Sequence, residues 1–556
     1  MSKLKKLIAG LFALIVIISL ASCGGSGVQV EMDATCTSTS IKINLTFGNF
    51  SVLENGATAY VKRNDSTSST AYKNLEFTNK DYSKSSCEYT GLTEDTEYSF
   101  SVYISYNDND EKIAEAKYKT KSISSEDVIE ISNKDDLLNI DTDATKLNYK
   151  LTDNIDLDGS EILMFDSSSN KYEGTFDGNG FTINNFKLKS ASASGLFGYT
   201  KGATFKNLTI SNVSFTTTST KSKSDMGVLV GNAEDTKFEN ITISNIIYGK
   251  RAAENQFSGT TSAELRIGGL VGNAVNSTFD NISITNASIL MTKARKYVSI
   301  GLLAGEISGN KVEVAVKDSS VSGEIYVNCE YSSSTGYTRV GGFIGTLSTT
   351  GVVQDSSSEV EIAYTRRNGS GYVNHDLFIG GFLGKDGNAQ INVKNCLSVA
   401  DIICYAGQKS DLHDSSEELT DEQKKTDVST NLLATNAYIG GFVGSLSNIV
   451  SSVSNCVYAP RVEGIKVYAQ ALKEVTKDDV TTNEKYVDLG LFYGACSNVS
   501  KISNCGYAKE NLLVFGDLTD TYTNKVTELN LKQSLLDVLN AVYEKKNTVD
   551  ATTVKA

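Results

Sequence analysis

The chain has 556 residues, enough for more than one domain, and its 52 Lys and Arg against 66 Asp and Glu give a formal net charge of −14. An acidic surface repels phosphate backbones, so this balance excludes nucleic-acid binding as the main activity. The composition includes no Trp, one Pro and two His. Two histidines provide few ligands for a zinc site and few candidates for the base of a catalytic triad.

Residues 1–22 are predicted to be an export signal. Basic residues precede an apolar run over residues 7–20, which is too short and too close to the N-terminus for a permanent membrane span. The run ends in Leu-Ala-Ser followed by Cys23 and Gly, which resembles a bacterial lipobox. The resemblance implies cleavage before Cys23, a lipid on its thiol and an acyl chain such as palmitate on the new amino terminus. Residues 23–27 are then the lipidated Cys and a flexible tether. An ordinary cleaved leader is the alternative.

Residues 28–122 carry short alternating segments that predict a small β-sandwich. Within them, residues 89–102 resemble the E–F corner of a fibronectin type III domain. The resemblance implies that Leu92 and Tyr98 are buried together and that the tyrosine hydroxyl holds the corner. Residues 107–110, Asn-Asp-Asn-Asp, are interpreted as a hairpin turn rather than a calcium loop. On an anchored protein this domain would act as a spacer.

Two short phrases recur eight times within residues 123–516, which indicates a repeat array. The first is a glycine phrase of the Gly-Gly-Phe-Val-Gly type, at residues 194–198, 227–231, 268–272, 301–305, 341–345, 380–384, 440–444 and 490–494. The second follows nine to thirteen residues after each closing glycine and begins with an Asn or Asp, at Asn207, Asn240, Asn281, Asp318, Asp355, Asn395, Asn455 and Asn504.

Units of this kind bury their apolar face only by stacking, strand upon strand, at about 4.8 Å per layer. The glycine phrase suits a second short strand in which glycines permit sharp corners and close backbone stacking. The repeated Asn is expected to form a ladder of side-chain amide hydrogen bonds. Three cysteines occupy the apolar position after this Asn and are expected in the core: Cys396, Cys456 and Cys505.

These repeats resemble the GLUG-repeat family of bacterial surface proteins, and residues 149–157 and 172–183 are similar to its opening coils. The resemblance spans roughly residues 126–510 and implies a right-handed parallel β-helix like that of pectate lyases. The expected fold class is therefore all-β, with a parallel β-helix solenoid preceded by a small β-sandwich. The same scaffold carries enzymes, adhesins and passive spacers, so the resemblance indicates the fold and not the activity.

Both ends of a solenoid need caps, because a terminal coil offers an unpaired strand edge. Residues 132–135 resemble a capping box and predict a short helix that extends through Ile140. After the last coil, the apolar residues of 517–546 recur at helical spacing, which predicts a C-terminal capping helix, and residues 547–556 are expected to be a loose tail.

Catalytic and metal motifs are weak. The run Asn154-x-Asp156-x-Asp158-Gly lacks the Glu of a calcium loop and is better explained as a strand with outward carboxylates. Asp177 lies in Asp-Gly-Asn-Gly, which favours a tight corner over catalysis. The two histidines, His375 and His413, are placed in insertions. The sequence therefore predicts no catalytic residue, no metal ligand and no cofactor. The cysteines other than Cys23 permit disulfides outside the cytoplasm without requiring them.

The insertions between repeats are the predicted ligand-contacting regions, because tyrosines there combine a flat ring with a hydroxyl. The candidates are Tyr248, Tyr326, Tyr331, Tyr337, Tyr364 and Tyr372. The longest insertion, residues 405–435, is highly charged and is expected to be a loop or a brief helix. We expect a lipid-anchored, outward-facing protein of the cell envelope that binds a glycan or protein without catalysis. The alternative is an anchored polysaccharide lyase or glycoside hydrolase with carboxylates on the β-helix flank.

Overall fold

A computed structural model gives the structure of the protein for residues 27–37, 40–77, 80–93, 95–106, 109–120, 128–215, 223–249, 264–291, 297–329, 336–367, 375–387, 389–407, 434, 436–448, 450–469, 472–477, 480–485, 487–507 and 512–515. The chain divides into two compact units, Met1–Asp127 and Val128–Ala556. The predicted export signal, Cys23, the predicted C-terminal capping helix and the predicted loose tail lie outside the described residues. None of the helices in these ranges has the length and apolar character needed to cross a membrane.

Within its described residues, the first unit contains seven strands in two antiparallel sheets. In chain order they are β1 (Gln29–Cys36), β2 (Ile41–Gly48), β3 (Thr58–Arg63), β4 (Tyr72–Asn74), β5 (Lys84–Tyr89), β6 (Glu97–Tyr106) and β7 (Asn109–Lys119), with helix α1 (Ser51–Glu54) after β2 and a 3-10 helix at Ser69–Ala71. One sheet has the order β1-β2-β5 and the other β4-β3-β6-β7. Alternate side chains of both sheets meet in one apolar core, as the strand patterns predict.

The corner before β6 is held as the sequence predicts. Leu92 and Tyr98 are buried, and the Tyr98 hydroxyl accepts a 2.8 Å hydrogen bond from the backbone N–H of Thr93. Strands β6 and β7 pair as a hairpin in which Tyr106 faces Asn109. This pairing agrees with the hairpin interpretation, although residues 107 and 108 of the predicted turn lie outside the described residues.

The second unit begins with β8 (Val128–Ile131), the short helix α2 (Lys134–Leu138) and β9 (Asn148–Leu151). The N-cap of α2 is Asn133, whose side-chain oxygen accepts a 3.0 Å hydrogen bond from the Asp136 N–H. The predicted helix is present, and its cap is Asn133 rather than Ser132. The helix buries Leu137 at the first coil of the unit.

The strands that follow, in chain order, are β10 (Ile155–Ile162), β11 (Thr175–Asp177), β12 (Thr182–Leu188), β13 (Ala193–Ser194), β14 (Phe197–Lys201), β15 (Thr204–Phe215), β16 (Lys223–Met226), β17 (Val230–Glu234), β18 (Lys237–Tyr248), β19 (Glu264–Gly268), β20 (Val271–Val275), β21 (Thr278–Met291), β22 (Tyr297–Gly301), β23 (Ala304–Gly309), β24 (Val314–Lys317), β25 (Ser320–Cys329), β26 (Gly336–Gly341), β27 (Ile344–Thr349), β28 (Val352–Gln354) and β29 (Ser357–Arg367).

The remaining strands are β30 (His375–Gly380), β31 (Leu383–Asp386), β32 (Asn392–Lys394), β33 (Leu397–Gly407), β34 (Asn436–Gly440), β35 (Val443–Leu446), β36 (Ser452–Ser454), β37 (Val457–Ala459), β38 (Ile465–Tyr468), β39 (Leu472–Lys477), β40 (Val480–Lys485), β41 (Val487–Gly490), β42 (Tyr493–Cys496), β43 (Ile502–Ser503), β44 (Gly506–Tyr507) and β45 (Leu512–Phe515), with a 3-10 helix at Val499–Lys501.

Apart from β39 and β40, which pair with each other in an antiparallel arrangement, these strands stack into three long parallel sheets. Sheet 1 contains β13-β16-β19-β22-β26-β30-β34-β41, sheet 2 contains β14-β17-β20-β23-β27-β31-β35-β42, and sheet 3 contains twenty strands from β8 to β45. Each repeat contributes a strand to sheet 1, then to sheet 2, then one or more to sheet 3, and every strand pairs in parallel with its counterpart one repeat later. The predicted parallel β-helix is confirmed, as is the small antiparallel β unit before it.

The glycine phrase forms the corner between sheet 1 and sheet 2 rather than a strand of its own. In the third repeat, Gly268 ends β19 and β20 begins at Val271. The closing glycines lie against the backbone of sheet 1: a Cβ atom on Gly305 would be 2.6 Å from the Ile267 nitrogen. A side chain does not fit there, which explains why this position is glycine in every repeat.

The predicted Asn ladder is present. Asn281 donates to Asn240 at 2.9 Å, and Asn240 donates to Asn207 at 3.1 Å. Later in the chain, Asn455 donates to Asn395 at 3.0 Å. These residues adopt the left-handed backbone conformation, with φ near +50°, which Asn tolerates better than most residues.

The three cysteines after this Asn are buried, as predicted. Cys396 and Cys456 are completely inaccessible and Cys505 is 3 % exposed. All seven cysteines whose side chains are described are free thiols. Burial raises the pKa of Cys456, so the thiol stays protonated in the core.

Candidate functional site

Most of the predicted tyrosines do not lie on exposed insertions. Tyr248, Tyr326 and Tyr364 belong to strands of sheet 3 and are 0 %, 4 % and 0 % exposed. The predicted location of these three is wrong, because the strands continue past the Asn ladder. Tyr248 and Tyr364 occupy inward positions, whereas Tyr326 alternates with the inward Ile325 and Val327 and is buried in a small separate cluster with Leu290 and Ala363. Tyr337 lies on β26 and is partly exposed. Tyr331 and Tyr372 lie outside the described residues.

Tyr337 borders the outer surface where sheets 1 and 2 meet, which we call the corner cleft. We define it by two rows of outward side chains that flank the glycine corner. The sheet 1 row contains Asp225, Arg266, Ser299, Arg339, Phe378, Tyr438 and Asp488. The sheet 2 row contains Tyr199, Asn232, Asn273, Glu306, Thr346, Lys385, Ser445 and Ala495.

Contacts between the two rows show that this corner is concave on the outside. The Ser299 and Thr346 hydroxyls are 2.7 Å apart, although they lie on different sheets. Both side chains are nearly inaccessible, at 3 % and 1 % exposed, even though they point away from the apolar core. Outward groups of two sheets touch and become buried only if the sheets enclose an angle between them. The corner is therefore a cleft that crosses consecutive repeats.

The N-terminal half of the cleft holds a closed ion network around Arg266. The guanidinium donates to Glu306 at 2.6 Å, to Glu264 at 2.8 Å and to Asp225 at 3.0 Å. Asp225 also accepts a 2.7 Å hydrogen bond from the Asn232 amide. Burial disfavours the charge, but the three carboxylates raise the pKa of Arg266 above its ordinary value. This half is acidic, because one cation meets three anions.

The C-terminal half holds two cations with a different environment. The Arg339 guanidinium lies 3.7 Å from the Tyr337 ring centroid and donates to the Thr346 hydroxyl at 3.3 Å, while its buried Nε has no hydrogen-bond acceptor. The Lys385 ammonium lies 4.2 Å from the Phe378 ring centroid. Burial, and then the charge of Arg339, lower the pKa of Lys385. In the part of the chain that the structure describes, neither cation forms an ion pair.

Tyrosine rings accompany these cations along the cleft. Tyr297 and Tyr337 are neighbours on adjacent strands, with ring centroids 5.0 Å apart. Tyr438 stacks on Phe378 at 5.1 Å with an interplanar angle of 11°. All three tyrosines are partly exposed, whereas Phe378 is 4 % exposed beneath Lys385. The cleft therefore presents flat rings at successive positions beside hydrogen-bonding groups.

A second concavity, of about 330 Å³, lies on the outer face of sheet 3. Its lining includes Glu324, Glu359, Glu361 and Arg461. Glu324 and Glu361 are in-register neighbours on adjacent strands, and Glu324 accepts a 2.6 Å hydrogen bond from the Ser288 hydroxyl. The Arg461 Nε is 3.5 Å from Glu359. We call this concavity the acidic pocket.

The aspartates that were weighed as calcium ligands or catalytic residues, Asp156 and Asp177, form hydrogen bonds within the fold. Asp156 lies on β10 with its side chain outward and accepts from Asn185 at 2.9 Å, as the strand interpretation predicts. Asp177 accepts from the Asn179 N–H at 2.8 Å and from the Asn207 amide at 3.2 Å at a tight corner. Within the described residues, no group of three or more His, Cys, Asp or Glu side chains is arranged to hold a metal ion.

The placement of His375 in an insertion is wrong. It begins β30, is 1 % exposed, and its Nε2 lies 2.9 Å from the Thr338 hydroxyl. Burial, with a smaller contribution from Arg366, lowers the pKa of His375 to about 3. His375 is therefore neutral at physiological pH and belongs to the core. His413 lies outside the described residues.

The charged groups of the corner cleft were missed by the sequence analysis. Arg266 and Glu306 are 40 residues apart and lie on different sheets of successive repeats. The available signal is positional: Arg266 and Arg339 both lie two residues before the first glycine of the phrase, and Glu306 and Lys385 directly follow a closing glycine. Aligning the repeats on their glycines would have placed these four side chains around one corner.

Comparisons with known proteins add little. No protein-family model matches the chain, and no curated protein matches its sequence. Among solved structures, a family 28 exopolygalacturonase from Yersinia enterocolitica aligns with 89 % of this chain and 99 % of its own, at 8 % identity and a TM-score of 0.18. A TM-score this low carries no argument, so the β-helix assignment rests on the three parallel sheets of the protein itself.

Proposed function

We propose that the protein is a lipid-anchored bacterial cell-surface protein of the GLUG-repeat type that binds a glycan chain along the corner cleft without cleaving it. The anchor is Cys23, and the first unit is a fibronectin type III-like spacer. Its seven strands in sheets of three and four, together with the hydroxyl contact of Tyr98, support this assignment. The protein then acts as an adhesin or as a collector of polysaccharide at the cell envelope.

The observation that carries the proposal is the series of partly exposed tyrosines in a cleft that crosses consecutive repeats. Tyr297 and Tyr337 lie on adjacent strands, about 4.8 Å apart along the stack, and Tyr438 lies further along the cleft. A chain of sugar rings presents apolar faces and hydroxyls at regular intervals. Tyrosine rings that stack on those faces and hydroxyls that hydrogen-bond at their edges suit such a ligand.

The direct test mixes the full-length chain, purified in detergent, with a panel of polysaccharides and follows polymer mass by light scattering on a sizing column. Co-elution with polymer of unchanged mass is the expected result, and Tyr337→Ala is expected to weaken it. Shortened polymer would overturn binding without cleavage. A panel in which no polymer co-elutes would overturn glycan binding altogether.

The anchor has its own test. In the native host, Cys23→Ser is expected to move the protein from the membrane fraction to the soluble fraction. Mass spectrometry of the wild-type N-terminal peptide is expected to find acyl chains on Cys23. An unmodified Cys23 in a membrane-bound chain would contradict the proposed anchor.

The acidic pocket favours one alternative, a surface-anchored glycoside hydrolase or polysaccharide lyase. Glu324 and Glu361 are paired across strands about 4.8 Å apart. In retaining glycosidases the two carboxyl groups are about 5–5.5 Å apart, so such a pair suits a nucleophile and an acid/base. The alternative predicts polymer shortening that Glu361→Gln abolishes and that Tyr337→Ala, outside the acidic pocket, does not.

A further inference from the structure

We infer that Arg339 and Lys385 form a site for an anionic group, so that the ligand of the corner cleft is an acidic polysaccharide carrying carboxylates or sulfates. This inference rests on the proposed glycan binding and names the class of glycan. It is carried by a comparison between two arginines in the same row of sheet 1.

Arg266 and Arg339 occupy equivalent positions two strands apart. Arg266 is saturated by three carboxylates, each within 3.0 Å. Within the described residues, the Arg339 guanidinium donates to the Thr346 hydroxyl and lies over the Tyr337 ring, and its Nε has no hydrogen-bond acceptor. A guanidinium is a planar donor suited to a carboxylate or sulfate. The Arg339 side chain is partly exposed and has no carboxylate partner within the described residues, so its guanidinium can receive such a group from a ligand.

Lys385 adds a second positive charge at the same place. Its ammonium covers the ring of Phe378, which is the in-register neighbour of Arg339 on the next strand. The nearby carboxylates of Asp376 and Asp386 raise the pKa of Lys385, but by less than burial and Arg339 lower it, and neither forms an ion pair with the ammonium. Asp376 accepts from the Asn436 amide at 2.8 Å, and Asp386 accepts from the backbone of Ser447 and Asn448. The repulsion from Arg339 that lowers the pKa of Lys385 is relieved when an anion binds between them.

The tyrosine rings beside Arg339 favour a glycan over a small anion as the ligand. The partly exposed rings of Tyr337 and Tyr297 adjoin Arg339, so a sugar ring can stack there while its acidic substituent reaches the guanidinium. The acidic network around Arg266 lies further toward the N-terminal repeats and repels anions. Acidic substituents are thereby confined to the half of the cleft that contains Arg339 and Lys385.

The test measures the affinity of the full-length chain, by calorimetry, for alginate, dextran sulfate, neutral dextran and polyglutamate. Arg339→Gln and Lys385→Met are each expected to weaken binding of the acidic glycans by about tenfold or more. The matched control is Lys394→Met, which removes an equal charge from an exposed lysine of the same repeat on sheet 3. It is expected to change affinity by less than about twofold. Circular dichroism and thermal unfolding verify that the variants fold.

Each outcome decides the inference. Preference for alginate assigns the site to a carboxylate, and preference for dextran sulfate assigns it to a sulfate; both support it if Lys385→Met weakens binding. Equal binding of neutral dextran that Lys385→Met does not change would overturn the inference while leaving glycan binding intact. Polyglutamate binding as tight as the glycans would overturn the choice of a sugar polymer. Binding of no polymer would remove both this inference and the proposed function.

Discussion

His375 is a buried neutral imidazole, and it makes stability depend on pH. Because its pKa falls from an ordinary 6.5 to about 3 on folding, the unfolded chain binds the proton more tightly. The contribution of His375 to the free energy of unfolding is therefore fully present above about pH 6.5 and is lost as the pH falls toward about 3. Between about pH 7 and about pH 5 the expected loss is about 2 kcal/mol.

Urea unfolding of the wild type and of His375→Gln at those two pH values checks this. Glutamine does not titrate and retains a polar group near the Thr338 hydroxyl, so the variant is expected to lose most of the difference. An unchanged pH dependence in the variant would assign the effect to other groups.

Asp401 is a second residue whose role is structural. Its carboxylate accepts hydrogen bonds of 2.8–3.1 Å from the backbone N–H groups of Arg461, Val462, Glu463 and Gly464. Removing the Asp401 carboxylate leaves these four backbone N–H groups without their hydrogen-bond acceptor. Asp401→Ala is expected to lower the free energy of unfolding by about 3 kcal/mol, and Asp401→Asn by less, because the amide oxygen still accepts. Denaturant titration compares them, and equal stability of Asp401→Ala and wild type would show that water replaces the carboxylate.

At the scale of the element, the glycine corner permits a direct test. A Cβ on Gly305 would lie 2.6 Å from the Ile267 backbone nitrogen, and because the Gly305 backbone fixes the position of that Cβ, the contact is relieved only if a strand shifts. Gly305→Ala is expected to lower the free energy of unfolding by about 2–3 kcal/mol. Gly48→Ala in the first unit is the control, since its nearest neighbour is the Gln29 side chain at 3.8 Å. A Gly305→Ala variant as stable as the control would show that the corner tolerates a side chain.

The sequence predicted those elements that repeat identically. Asn207, Asn240 and Asn281 recur at fixed offsets from glycine, so their ladder was foreseeable. A second ladder, in which Asn286 donates to Asn245 at 2.7 Å, was missed although these residues lie five positions after members of the first. Its signal is confined to consecutive early repeats.

The functional groups were less predictable because they do not repeat. In the repeat between those of Arg266 and Arg339, the equivalent position is Ser299. The arginines therefore do not recur periodically in the sequence. An arginine of this row forms ion pairs only if the neighbouring strands and sheet 2 supply carboxylates, as they do for Arg266. Tyr248 illustrates the opposite error: an aromatic residue among polar neighbours was taken as exposed, but inward alternation along β18 buries it.

At the scale of the whole molecule, the net charge of −14 opposes an acidic ligand that the local cations attract. The two effects have different ranges. The Debye length is about 30 Å at 0.01 M salt, about 10 Å at 0.1 M and about 3 Å at 1 M. At the lowest salt the ligand experiences the whole acidic surface, and at intermediate salt mainly Arg339 and Lys385.

The affinity for an acidic polysaccharide is therefore expected to rise and then fall as salt increases from about 0.01 M to about 1 M, with its maximum near about 0.1 M. Calorimetry across this range measures the profile. Lys385→Met should retain the rise, because it leaves the distant acidic surface intact, and should flatten the fall, because part of the short-range attraction is gone. Lys394→Met should retain both. A profile that falls steadily from the lowest salt would show that the net charge of the molecule does not act on the ligand at the cleft.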